Sequence, residues 1–206
     1  MGNELTADDV EVLEHRIAYQ GFFRIDRYRL RHRLHAGGWG PEITRELFER
    51  GQAVAVLLYD PDQDALVLIE QFRIGAYRVG WRPWLLEVVA GIIDENESPE
   101  QVVRRESLEE SGCEIQDLLF VHSYLVSPGG ATETVRVYCG RVDSRGAGGV
   151  HGLIEEGEDI RVVVIPSNEV LAMLERDELR NSATLVAIQW FALNRQKLRQ
   201  RWLGAA

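Results

Sequence analysis

The stretch GIIDENE (residues 91–97), followed after seven residues by RESLEESGC (residues 105–113), decides how this chain is read. Between them, Ser98-Pro99-Glu100-Gln101 places a capping serine, a proline at the first helical position and a glutamine three residues after the cap. The spacing predicts a helix from there to about Ser111, stopped by Gly112. On that helix Glu106, Glu109 and Glu110 fall at i, i+3 and i+4, within one sector of a single face. Three carboxylates so placed repel one another unless a cation lies between them. An all-oxygen donor set favours Mg²⁺ or Mn²⁺ over zinc.

Charge is concentrated around this stretch. Residues 86–114 hold nine acidic side chains and two basic ones, and EEGED (residues 155–159) adds four more acids, in a chain whose net charge is −10. Such an acidic chain is a poor general binder of nucleic acid or anionic membrane. With 206 residues, 45% hydrophobic and 27% charged, it can bury a core without staples. Cys113 and Cys139 have neither disulfide-framework nor zinc-knuckle spacing. The first residues, MGNELTADDV, carry no basic segment followed by an apolar run, and no run approaches the ~20 apolar residues that span a bilayer. The expectation is a cytoplasmic protein.

Moving toward the N-terminus, Leu85–Ala90 reads as a strand and residues 75–84 as a loop. Ala53–Tyr59 and Ala65–Gln71 form a hairpin around Pro61-Asp62 and Asp64. Arginines at every second position (Arg27, Arg29, Arg31, Arg33) give a strand with one basic face, and another strand is expected near Thr44–Arg50. Toward the C-terminus, strands are expected at Asp117–Leu125, Thr134–Arg141 and Ile160–Ile165. A loop covers 143–152, and helices cover Glu169–Glu175 and Ala183–Arg199. Helices mixed with many short strands argue an α/β sandwich with a mixed sheet. The expected domains are an N-terminal antiparallel β annex (residues 1–50) and a catalytic domain (residues 51–206).

The full pattern, G-x5-E-x7-R-E-x-x-E-E-x-G, is identified as the Nudix box. Ser107 stands where that family prefers a bulky aliphatic residue, and is expected to loosen helix packing. The resemblance extends along the chain to the family's bacterial ADP-ribose pyrophosphatases, through YQGFFRIDRYRLRHRL, RELFERG, LIEQFRIGAY, PWLLEVVAG, SPGG, VHGLIEEGEDIRV and NSATLVAIQW. Pro128, 16 residues after Gly112, fits that subgroup, and the SQPWPFP motif of NADH hydrolases is absent.

The resemblance implies a Nudix-type α/β/α sandwich that cleaves ADP-ribose to AMP and ribose 5-phosphate with Mg²⁺. It implies metal ligation by Glu106, Glu110 and the Ala90 carbonyl, with Glu109 bridging or supporting and with Glu97 and Arg105 orienting the carboxylates. Arg45 and Arg73 would hold phosphate or ribose oxygens. Phe22, lent by a partner subunit in a homodimer, would stack adenine. Ser127 and Gly129 of SPGG would lie near the terminal ribose, with Glu133 close by. Glu156 would act as base, with Glu158 binding metal or water. The histidines are read as structural, His151 through a backbone hydrogen bond. Rival readings are hydrolysis of another nucleoside diphosphate sugar such as GDP-mannose, ADP-ribose sensing without cleavage, and nucleic-acid binding through the arginine strand.

Overall fold

A computed structural model describes residues 4–153, 155 and 157–204. The chain divides into two compact units, residues 1–51 with 125–134, and residues 52–124 with 135–206.

The first unit is built on a three-stranded sheet, β1 (Val10–Gln20), β2 (Arg24–His32) and β3 (Ile43–Glu49), with β2 antiparallel to both neighbours. The alternating arginines of β2 do form one face, and acids on the adjoining segments meet them. Arg29 reaches Glu14 and Glu42, and Arg31 reaches Glu11. Asp26 points the other way, is fully buried, and is ion-paired with His15 and Arg24 at 2.8 Å each. The segment 125–134 joins this unit through Phe48, whose N–H donates to Gly130 O and whose carbonyl accepts from Thr132 N–H.

The second unit centres on a larger sheet ordered β10-β11-β5-β4-β9-β8, with β6 on β5 and β7 on β4. Here β4 is Gln52–Asp60, β5 Ala65–Phe72, β6 Trp84–Glu87 and β7 Val89–Ile92. β8 is Asp117–Leu125, β9 Thr134–Arg141, β10 Gly149–His151 and β11 Ile160–Pro166. Strand alternation sorts β4 onto two faces. Ala55, Leu57 and Tyr59 pack with Val170, Ile188, Phe191 and Trp202 of α3 (Ser167–Glu175) and α4 (Ser182–Leu203). Val54, Val56 and Leu58 pack with Val102 and Val103 of α2 (Pro99–Ser111). Because both faces are covered, β4 and β5 read as continuous apolar runs rather than alternating ones.

Three expectations are corrected. Residues 75–84 are not all loop, since a short α1 covers Ile74–Arg78. Leu85–Ala90 is not one strand. Inward and outward positions alternate through it unbroken, but its partner changes from β5 to β4 at Val88, whose N–H is taken by the Thr184 hydroxyl. The loop expected over 143–152 ends in β10, paired to β11. Among the described residues, no helix is long and apolar enough to cross a membrane.

Candidate active site

Helix α2 begins as its sequence dictates. Ser98 accepts from Gln101 N–H and the Gln101 side chain accepts from Ser98 N–H, closing the capping box over Pro99. Gly112 ends the helix at φ 67°, a left-handed conformation that suits glycine. Ser107 does not loosen the packing. It is fully buried, its hydroxyl donates to Cys113 O at 2.7 Å, and its carbonyl accepts from Ser111 Oγ at 2.6 Å. The hydroxyl that replaces an aliphatic group therefore fastens the helix end to the chain that follows.

One face of α2 lies against β7. Ala90 N–H donates to Glu110 Oε2 at 3.1 Å, and a Cβ added at Gly91 would overlap the Glu106 carboxylate. The glycine is what allows the strand to approach so closely. Glu110 is buried, and burial pushes its carboxyl up to about 8, the negative charges of Glu106 and Glu158 adding to the effect against the Ala90 N–H. Burial likewise raises Glu106 to about 7, with Arg105 opposing and Glu109 and Glu158 adding. Two clustered carboxyls held this high mark a place where the fold has gathered more negative charge than the nearby Arg105 and Arg73 offset.

Arg105 binds both oxygens of Glu97 (3.1 and 3.2 Å), and reaches Glu106 at 2.8 Å and Glu109 at 2.9 Å. Glu97, Arg105, Glu106 and Glu109 thus form one connected network. Glu158 lies close enough to act on Glu106, Glu110 and Arg73, while its own carboxylate accepts from Leu153 N–H at 3.0 Å. Glu156 lies outside the described residues. His151 makes the expected backbone contact, Nε2 to Gly148 O at 2.9 Å.

A hard divalent cation fits this chemistry: buried oxygen donors with raised pKa values, and a strand pressed against them by a glycine. Among the described residues no three Asp, Glu, His or Cys side chains converge as a ready-made cage. An ion here would draw its remaining ligands from backbone carbonyl, water or substrate oxygen, which is how Mg²⁺ is commonly held.

Arg73, at the end of β5, binds Glu87 with two nitrogens, Nη2 at 2.8 Å and Nε at 3.1 Å from the same oxygen. Glu87 was not singled out from the sequence, although a lone carboxylate within the apolar strand LLEVVA was a usable signal, since a buried charge needs a partner.

The other expected substrate residues all belong to the first unit. Phe22, in the β1–β2 turn, is 90% exposed and meets Phe23 edge-on. Arg45 is exposed on β3 and bonds Thr44 O. Ser127 O accepts from the N–H groups of Gly130 and Ala131, so SPGG, with Gly129, is a closed turn. Glu133 is ion-paired with Arg50 at 3.3 Å.

The capped helix, the glycine pressed against it and the clustered carboxylates are the arrangement that the Nudix-box resemblance implied. A NUDIX domain model matches residues 49–201, and the chain belongs to the Nudix family. It is 46% identical to the ADP-ribose pyrophosphatase of Escherichia coli strain K12, over 95% of this chain and 93% of that protein. Identity to the Haemophilus influenzae ADP-ribose pyrophosphatase is 41%, over 94% and 91% of the two chains. The GDP-mannose pyrophosphatase of Citrobacter koseri is 32% identical over 71% of this chain and 76% of its own. Among solved structures, a crystal structure of an ADP compounds hydrolase superposes with a TM-score of 0.73 at 18% identity, covering 96% of this chain and all of that one, and so supports the fold.

Proposed function

We propose that the chain is a Mg²⁺-dependent Nudix hydrolase that cleaves the pyrophosphate bond of ADP-ribose to AMP and ribose 5-phosphate. The observation that carries this reading is near-full-length similarity to ADP-ribose pyrophosphatases at 41–46% identity. A divalent cation, Mg²⁺ or Mn²⁺, supplies neutralisation of diphosphate charge and a lowered pKa for attacking water. Glu106, Glu110 and the Ala90 carbonyl would hold it. Glu109 supports them, and Glu97, through Arg105, keeps the carboxylates in place. Arg73 presents its free guanidinium edge to the diphosphate, where a planar fork suits phosphate oxygens. Glu156 takes the proton from the attacking water, and Glu158 steadies that water or the ion.

In the first unit, Arg45, Ser127, Gly129 and Glu133 contact the substrate, and Phe22 stacks on the base in the partner's site. The unit acts as a dimer-forming annex. Its exposed Val10, Val12, Ile17 and Tyr19 support that reading, because a three-stranded sheet of this size gains little from burying its own faces. Light scattering at micromolar concentration should give a dimer, and a fully active monomer would count against the annex.

The deciding experiment is a turnover panel of ADP-ribose, GDP-mannose, ADP-glucose and NADH with and without Mg²⁺, with products separated by chromatography. AMP and ribose 5-phosphate from ADP-ribose are the expected products. Preferred turnover of GDP-mannose would favour the second reading, which the 32% identity to a GDP-mannose pyrophosphatase supports. Binding of ADP-ribose without products would make the domain a sensor.

A further inference from the structure

Glu87 is 1% exposed and sits on the α2 face of the sheet, opposite Ile69 and two residues from Val89 of the apolar cluster. Such a carboxylate needs a cation, and its partner is Arg73, gripped along the Nε–Nη2 edge. Both ends of this pair are fixed. Arg73 N–H donates to Pro83 O at 2.7 Å, and Glu87 precedes Val88, whose N–H is held by Thr184.

Three residues further along the same segment, Ala90 N–H grips Glu110. That is about 10 Å of extended chain. The charge of Arg73 acts on Glu110 and Glu158 as well as on Glu87, so a single guanidinium faces competing carboxylates. Among the described residues, only Glu87 binds it through two nitrogens.

We propose that Glu87 is a positioning residue that decides where the charge of Arg73 acts. With Glu87 in place, Arg73 is held back from Glu110 and Glu158 and offers its free edge to the substrate diphosphate. Without it, Arg73 is drawn onto those carboxylates and competes with the divalent cation. The proposal rests on the functional reading above, in which Arg73 meets substrate and Glu110 meets metal.

The test measures Mn²⁺ binding without substrate, from the electron paramagnetic resonance of the free ion, alongside KM and kcat for ADP-ribose at saturating metal. Glu87→Gln should weaken Mn²⁺ binding by about 10–100-fold, the size of effect that groups just outside a metal's own ligands have on its affinity. It should raise KM by a larger factor than it lowers kcat. In Arg73→Gln/Glu87→Gln the competing cation is gone, so Mn²⁺ affinity should return toward that of the unaltered protein while KM stays high. Glu87→Asp keeps the charge but shortens the reach, and should fall between the unaltered protein and Glu87→Gln. Wild-type Mn²⁺ affinity in Glu87→Gln, or a double variant as weak as the single one, would overturn the proposal. If Glu87→Gln fails to fold by thermal melting, Glu87→Asp decides, and Mn²⁺ affinity equal to wild type then overturns it. Failure of the unaltered protein to hydrolyse ADP-ribose would sink the functional reading and leave the Mn²⁺ comparison valid.

Discussion

Two groups of carboxylates in the second unit are treated in opposite ways by the same fold. At the β4–β5 turn, Asp64 is surrounded by donors: the hydroxyls of Tyr59 (2.7 Å) and Ser167 (2.9 Å), and the guanidinium groups of Arg195 and Arg199. Burial works against its charge, but the hydrogen bonds from Arg195, Tyr59 and Ser167 outweigh that and hold it at about 2. On α2, Glu110 has one backbone N–H and acidic neighbours, and is pushed to about 8. Asp64 ties the β4–β5 hairpin to both C-terminal helices and stabilises the fold when ionised. Glu110 opposes the fold when ionised, because the folded state binds its proton more tightly than the unfolded chain does. The contrast separates a structural carboxylate from one kept for a ligand, and it can be broken at either end.

The largest effect is expected at Glu110. Glu110→Gln keeps the shape and removes one charge from the crowded face, so apo-protein melting should hold steady or rise. Hydrolysis should fall by about 10²-fold or more, since several kcal/mol of metal-supplied stabilisation is at stake. A sharp drop in apo-protein Tm would instead make Glu110 a structural partner and erase the contrast.

Next comes Asp64→Asn. It strands the Arg195 and Arg199 guanidinium groups and should cost about 2–3 kcal/mol in denaturant unfolding. kcat should stay near wild type, because none of its partners belongs to the α2 face. A large loss of activity at full folding would mean that the two regions are coupled.

A third, somewhat smaller effect follows from acid. Asp64 is depressed from an ordinary value of 3.8 to about 2, so its contribution is complete above about pH 5 and fades as pH falls toward 2. The depression is worth about 2 kcal/mol. The stability difference between wild type and Asp64→Asn should therefore shrink by that amount between pH 6 and pH 2. A difference independent of pH would show that the cost of Asp64→Asn comes from packing rather than charge.

How much of this was readable in advance depends on how local the information is. The α2 site was legible because its frame is encoded within 22 residues: Gly91 for close approach, the Ser98–Gln101 box to start the helix, i, i+3, i+4 spacing for the face, and Gly112 to stop it. The Asp64 turn was legible as a turn. Its role as a hub was not, because Ser167, Arg195 and Arg199 lie more than 100 residues away in sequence. The split of Leu85–Ala90 was hidden for a related reason. Its alternation is continuous, and only the choice of partner strand divides it, so Glu87 was counted among the acids without being assigned to Arg73. The five-residue α1 has no side-chain cap and too few turns to show a period. Ser107 was misjudged because its value lies in a hydrogen bond to Cys113 O rather than in its volume.

The smallest effect is expected in the first unit and sets the lower end of the comparison. Arg29 contacts Glu14 at 3.4 Å and Glu42 at 2.7 Å, which on paper resembles the Asp64 hub. All three side chains are about half exposed, however, so water competes for every contact and salt screens the charges. The proximity of Glu42 and Glu14 raises the Arg29 pKa, but an arginine is protonated at any working pH, so this shift yields no titratable stability. Arg29→Ala should leave Tm within error of wild type, and so should raising the salt concentration. A clear loss of Tm, disappearing on dilution to monomer, would show that the β2 face is covered in the assembled protein. Its ion pairs would then belong with Asp64 on the buried side of the contrast.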